Sequence, residues 1–118
     1  MPDFTPSNKR ILMQPGDSKV PYCFAFTVCS SETANDGALP YGTSISSFTV
    51  TAHKHDASDT VATTDLIDSS SRSGLVITVY LDYPSENGAG RYDLKFLLTL
   101  DSGAILEFDF NRVFARDV

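Results

Sequence analysis

Residues 91–110 read Arg91-Tyr92-Asp93-Leu94-Lys95-Phe96-Leu97-Leu98-Thr99-Leu100-Asp101-Ser102-Gly103-Ala104-Ile105-Leu106-Glu107-Phe108-Asp109-Phe110. Tyr92, Leu94, Phe96, Leu98 and Leu100 alternate with Asp93, Lys95, Leu97 and Thr99. This period of two turns one apolar row to one side of a strand. Asp101-Ser102-Gly103 then interrupts, a three-residue hairpin loop with glycine at the left-handed position. Ala104, Leu106, Phe108, Phe110 and Arg112 answer on the returning strand, with Ile105, Glu107, Asp109, Asn111 and Val113 on its other face. Leu94–Leu100 is therefore expected to pair with Ala104–Phe110.

Working upstream, Leu75, Ile77, Val79 and Leu81 alternate with Val76, Thr78 and Tyr80, a pattern that predicts a strand covered on both faces. Asn87-Gly88-Ala89-Gly90-Arg91-Tyr92 reads as a tight turn before a strand. A phosphate cradle would need a helix after it. Ile45–Ala52 predicts a strand with Phe48, Val50 and Ala52 on one face and Ile45, Ser47, Thr49 and Thr51 on the other. Val20, Tyr22, Phe24, Phe26 and Val28 alternate strictly, with Pro21 expected at a strand start or an edge because it lacks an N–H. Lys9–Met13 predicts a short first strand, closed by Pro15-Gly16-Asp17. Thr60–Ile67 reads as a weak strand, Asp68–Gly74 as a Ser-rich turn, and Ser30–Tyr41 as a loop.

The composition agrees with strands. Asp outnumbers Glu 12 to 3, and Ser plus Thr number 25, residue types that suit turns and strand surfaces better than helix interiors. About seven strands with regular turn signals predict an all-β sandwich. Its inward set is expected to be Val20, Tyr22, Phe24, Phe26, Phe48, Val50, Ile77, Val79, Tyr92, Leu94, Phe96, Leu98, Leu106, Phe108 and Phe110. Residues 1–8, polar with two prolines, read as a flexible arm, and 9–118 as one sandwich domain.

The 118 residues carry 9 Lys and Arg against 15 Asp and Glu, a net charge of −6. That balance argues against a nucleic-acid partner. No apolar run approaches the ~20 residues of a membrane helix. Met1-Pro2-Asp3 opens without the basic-then-apolar pattern of a secretory signal.

Chemistry-bearing residues are few. Cys23 and Cys29 fall on or near one strand, which would hold them roughly 20 Å apart if extended, too far for a disulfide. They read as buried or half-buried free thiols, in keeping with a reducing cytoplasm. His53-Lys54-His55-Asp56 puts two imidazoles at i, i+2 with no third ligand at a recognisable spacing, and reads as a solvated, mildly pH-sensitive loop. Asp56, Asp59, Asp65 and Asp68 are dense, but their spacing is not that of a calcium loop. Ser69–Ser71 and Ser73 lie in no nucleophile elbow. Glu107 and Asp109 share one strand face, expected to be the solvent face. The chain thus reads as non-enzymatic, with no cofactor and no metal. Tyr41, Tyr80 and Tyr83 are the aromatic platforms available should a host-surface glycan or protein be bound. Tyr83, Phe114 and Val118 are the candidate contact residues for self-association, with Phe114 alternatively closing the end of the core.

Three stretches, in order, resemble the short Ig-like virion proteins of tailed bacteriophages of the head-fibre or head-decoration type. Gly42-Thr43-Ser44-Ile45-Ser46-Ser47-Phe48-Thr49-Val50 looks like their strand entry. Gly88-Ala89-Gly90-Arg91-Tyr92 looks like their Gly-rich turn before a Tyr-led strand, and Thr99-Leu100-Asp101-Ser102-Gly103 like their hairpin. Pro15–Phe26 is similar too, so the resemblance runs over roughly Ile11–Val113. Tyr41 or Leu39 stands where such proteins often carry tryptophan. The resemblance implies an immunoglobulin-like antiparallel β-sandwich. It also implies a structural role in the virion, made in the host cytoplasm and attached to a capsid or tail surface beside other virion proteins, commonly as an oligomer. It supplies no catalytic residues.

Overall fold

The computed structural model describes residues 10–117. The arm expected over residues 1–8, residue 9 and the candidate contact Val118 lie outside the described residues.

Seven strands and one helical turn follow one another: β1 (Ile11–Met13), β2 (Val20–Ala25), β3 (Ile45–Lys54), α1 (Thr63–Leu66), β4 (Ile67–Ser73), β5 (Val76–Leu81), β6 (Gly90–Leu100) and β7 (Ile105–Ala115). They form a four-stranded sheet in the order β1-β7-β6-β3 and a three-stranded sheet in the order β2-β5-β4. With β2 to β7 lettered B to G, these sheets hold C, F and G in one layer and B, E and D in the other. That is the immunoglobulin arrangement. It is antiparallel except at β1, which runs parallel to β7, with Ile11 opposite Val113 and Met13 opposite Ala115. The expected antiparallel sandwich is present, with this one parallel pair at its edge.

The late hairpin forms as its alternation demands. Leu98 faces Leu106, Phe96 faces Phe108 and Leu94 faces Phe110. Leu100 N–H donates to Ala104 O at 2.8 Å and Gly103 N–H to Leu100 O at 2.9 Å, closing the loop at Asp101–Gly103. Gly103 has φ +91°, a conformation that a Cβ would strain. From β6, Tyr92, Leu94, Phe96 and Leu98 are all fully buried. They meet Phe24 and Phe26 of the opposite layer. Phe24 stands 4.9 Å from Phe96 and 5.3 Å from Phe110, and Phe26 stands 5.3 Å from Phe108, ring centre to ring centre in tilted or edge-on geometry. Such pairs add to the burial of their area.

Two bulges in the four-stranded sheet change the phase of the alternation. One between Ile45 and Ser47 turns Ile45 inward, to 3% exposure, although unbroken alternation puts it on the other face from Phe48. The second, between Tyr92 and Leu94 against β7, turns Val113 and Ala115 inward and leaves Arg112 exposed. Val20, Tyr22, Phe48, Val50 and Leu106 are half-buried rather than core. The first four lie on β2 and β3, which end their sheets, and Leu106 sits near the hairpin tip.

Three further expectations are corrected. The weak strand over Thr60–Ile67 is replaced by the helical turn α1, which puts Ala62 and Leu66, four residues apart, both into the core. The Ser-rich turn over Asp68–Gly74 is the strand β4, paired with β5 from Ile67 to Ser73. Its backbone holds it while its side chains, Ile67 apart, are all exposed. On β5, Ile77, Val79 and Leu81 are buried, but Val76, Thr78 and Tyr80 only half so. The strand is central in its layer, and its outer face is not covered.

β2 stops at Ala25, short of the expected Val28. Beyond it Phe26 N–H still bonds Leu75 O at 2.9 Å, and Thr27–Cys29 exchanges bonds with Leu39. Gly37 permits that crossing, since a Cβ there would stand 2.3 Å from the Val28 carbonyl carbon. Ser30–Tyr41 is a loop, as expected. Asp36 ties it by accepting from Ser30 N–H at 2.9 Å and Ser30 Oγ at 2.7 Å, and these bonds lower the Asp36 pKa.

The corner before β6 carries a further immunoglobulin mark. Tyr92 OH donates to Gly88 O, four residues upstream, at 2.6 Å, which is the tyrosine corner of such domains. Gly88 and Gly90 both have positive φ there, as a tight turn requires. Among the described residues no helix is long and apolar enough to cross a membrane.

Candidate functional site

Side chains on β6 that point away from the core line the outer face of the four-stranded sheet. In register, His53 lies opposite Asp93 and Thr51 opposite Lys95, and Lys95 lies opposite Asp109 on the other flank. Opposed residues share a face. The strands therefore gather His53, Arg91, Asp93, Lys95, Asp109 and Asn111, joined by His55 and Asp59 from the loop after β3. They line a groove of about 260 Å³.

Its closest contacts centre on His55. The main chain anchors the residue, with His55 N–H donating to Arg91 O at 2.7 Å. Arg91 Nη2 lies 3.0 Å from His55 Nδ1. A guanidinium only donates, so in that contact Nδ1 is the acceptor. Asp93 Oδ2 stands 3.4 Å from the same Nδ1, and Arg91 Nε stands 3.6 Å from Asp93 Oδ1. Those two last atoms are buried and have no hydrogen-bond partner among the described residues, so they hold each other by charge alone. A second imidazole, His53, has Nδ1 at 3.8 Å from Asp59 Oδ2. Acid and base alternate along the groove, which suits polar recognition better than capture of a strongly charged ion.

The acidic residues dense in the sequence serve different places. Asp56 closes its own loop by accepting from Ser58 N–H, Thr60 N–H and Thr60 Oγ1. The bonds from Thr60, first the backbone and then the side chain, lower its pKa. Asp59 faces His53, and Asp68 accepts from Ser69 Oγ. Asp65 accepts from Glu86 N–H, Asn87 N–H and Asn87 Nδ2, pinning the turn before β6. Asp65→Ala is expected to cost about 1 kcal/mol, read as a lower urea midpoint at unchanged slope. Among the described residues no group of three His, Cys, Asp or Glu side chains is placed to hold a metal ion.

The two thiols are both free; Cys29 is buried, but the expectation for Cys23 is corrected, since it lies on the outward face of β2 and is exposed. The three tyrosines are not gathered. Tyr41 is 53% exposed and lies beside the hairpin end, where Ser44 N–H bonds Asp101. Tyr83 lies at the other end of the sandwich, its OH donating to Arg116 O at 2.6 Å and its N–H to Asp17 O. The length of β6 between those ends is roughly 30 Å. Tyr80 is half-buried on the outer side of the other layer.

Phe114 sits between Val113 and Ala115, both buried, so it faces outward from the four-stranded sheet. It is half-buried there, with the Arg10 guanidinium 6.0 Å from its ring centre. Glu107 and Asp109 are exposed on the same face, as their spacing predicts. Arg91, Asp93, Lys95 and Asn111 carry no motif that singles them out in the sequence. Setting the outward residues of the two hairpin strands in register would have found them.

Comparison with family models, with curated proteins and with solved structures returns no match.

Proposed function

We propose that this chain is a non-enzymatic structural protein of a bacteriophage virion, an Ig-like decoration or fibre-type domain that docks on a capsid or tail surface. The observation that carries the reading is the outer face of the four-stranded sheet. Leu97 and Ile105 are 41% and 62% exposed there, and are diagonal neighbours across β6 and β7. Leu12, 43% exposed, lies opposite the half-buried Phe114 at the other end. Apolar pairs on both sides of a polar groove make a surface suited to a protein partner, with apolar anchors and hydrogen-bonding groups together. The three resembling stretches lie at strand entries and turns of this same sandwich.

The test is composition of the particle. Complete virions of the phage encoding the chain, purified and digested for peptide mass spectrometry, are expected to contain it in many copies. Its absence from complete particles overturns the reading.

The groove itself favours a second reading, a module recognising a cell-surface carbohydrate or protein. Arg91, Asp93, Asp109 and Asn111 offer planar polar groups of the kind that bond sugar hydroxyls. A glycan array without hits at millimolar affinity counts against the carbohydrate form of it.

A further inference from the structure

We propose that β3 is a docking edge for a second copy of this chain, the two β3 strands pairing antiparallel about a two-fold axis at Thr49. The inference stands on the strand edge and does not depend on the virion reading.

β3 ends the four-stranded sheet. Near its end, Ala52 N–H bonds Thr63 Oγ1 and Ala52 O accepts from Ala62 N–H. Both groups of Ala52 therefore point away from β6. By the period of two, the N–H and C=O of Val50 and Phe48 point the same way. Among the described residues nothing bonds to them. A row of open donors and acceptors is a template for another strand.

Folded proteins blunt such edges with charge, proline or shortness; β1 is only three residues long, and the other edges here carry charge or proline. β2 has Pro21 and β4 has Asp68 and Arg72. The stretch of β7 beyond β1 has Glu107, Asp109 and Arg112. From Gly42 to Ala52 there is no charged residue and no proline, and Phe48, Thr49, Val50 and Thr51 all favour strands. Phe48 and Val50 are only half-buried against the core, so a paired strand would cover them further.

The limits of the free edge fix the register. At one end Ala62 and Thr63 already occupy Ala52. At the other, the bulge between Ile45 and Ser47 bends the strand away. What is left is Ser47–Thr51, which is symmetric about Thr49. A two-fold pairing there sets Phe48 against the partner's Val50, each pair exchanging both N–H···O=C bonds. It sets Ser47 against the partner's Thr51, and Thr49 against the partner's Thr49. Every opposed pair is uncharged.

The test is solution mass by light scattering across a concentration series of the full chain. The wild type is expected to approach twice its 12.8 kDa mass. T49K and T49D each place like charges on the axis at an exposed position. Each is expected to raise the dissociation constant roughly tenfold or more, with circular dichroism preserved and with melting preserved at concentrations where every form is monomeric. An equimolar mixture of the two is expected to restore the dimer, because Lys then faces Asp. Amide exchange of wild-type Phe48 and Val50, slowing as protein concentration rises, gives a readout that needs no variant. A wild type monomeric at millimolar concentration overturns the proposal, as do dimers unmoved by T49K and T49D. A mixture that stays monomeric overturns the placing of Thr49 on the axis.

Discussion

Phe24→Ala is expected to lower the unfolding free energy by about 3–5 kcal/mol, a large part of the roughly 5–15 kcal/mol that holds a domain of this size folded. The ring is 1% exposed. It comes from the three-stranded layer and touches Phe96 and Phe110 of the facing one. Removing it opens a void between the layers that its neighbours close only in part, so the lost contacts add to the lost burial. Among the described residues the two layers share no hydrogen-bonded strand pair, so packing of this kind does most to hold them together. Urea unfolding is the measurement, with the midpoint falling at near-constant slope. Ser70→Ala, exposed on β4, serves as a control expected to stay within about 0.5 kcal/mol of wild type. A loss for Phe24→Ala below about 1.5 kcal/mol would show that the aromatic cluster does not join the layers.

The layering itself was legible because the late hairpin and β5 alternate cleanly over whole strands, and polar turns separate them. Legibility failed wherever one residue shifts the phase. The bulges at Ile45/Ser47 and opposite Asp93 flip every side chain beyond them, and no local composition marks the inserted residue. β4 was hidden for another reason. An edge strand held by its backbone needs no apolar row, so Asp68-Ser69-Ser70-Ser71 reads as a turn. Ala62 and Leu66 did carry a signal, a helical spacing too short to stand out. The groove was half legible. His53, His55, Asp59 and Asp109 drew notice singly, but only the register of β3, β6 and β7 brings them beside Arg91 and Lys95. The parallel seat of β1 was not legible at all, since three residues of alternation do not encode a partner.

Tyr92→Phe is expected to cost about 1–3 kcal/mol at neutral pH, because Gly88 O loses the donor that satisfies it. The ring stays buried, so the loss belongs to one hydroxyl. The same hydroxyl gives the domain an alkaline dependence. Its pKa is pushed from 10.0 up to about 12, first by burial and then by the negative charges of Asp65, Tyr83 and Asp56. A folded-state pKa above the unfolded one means that the folded chain holds its proton longer. The stability from Tyr92 is therefore fully present below pH 10 and is lost as the pH rises through about 12. Tyr22 is also raised, chiefly by burial with help from Asp17, so the variant keeps some alkaline slope of its own. The gap in stability between wild type and Tyr92→Phe is accordingly expected to narrow between pH 10 and 12. Urea titrations across that window measure it, beside the phenolate absorbance of the folded wild type. A gap that stays constant to pH 12 would mean that the Tyr92 hydroxyl is not held in the corner as a donor.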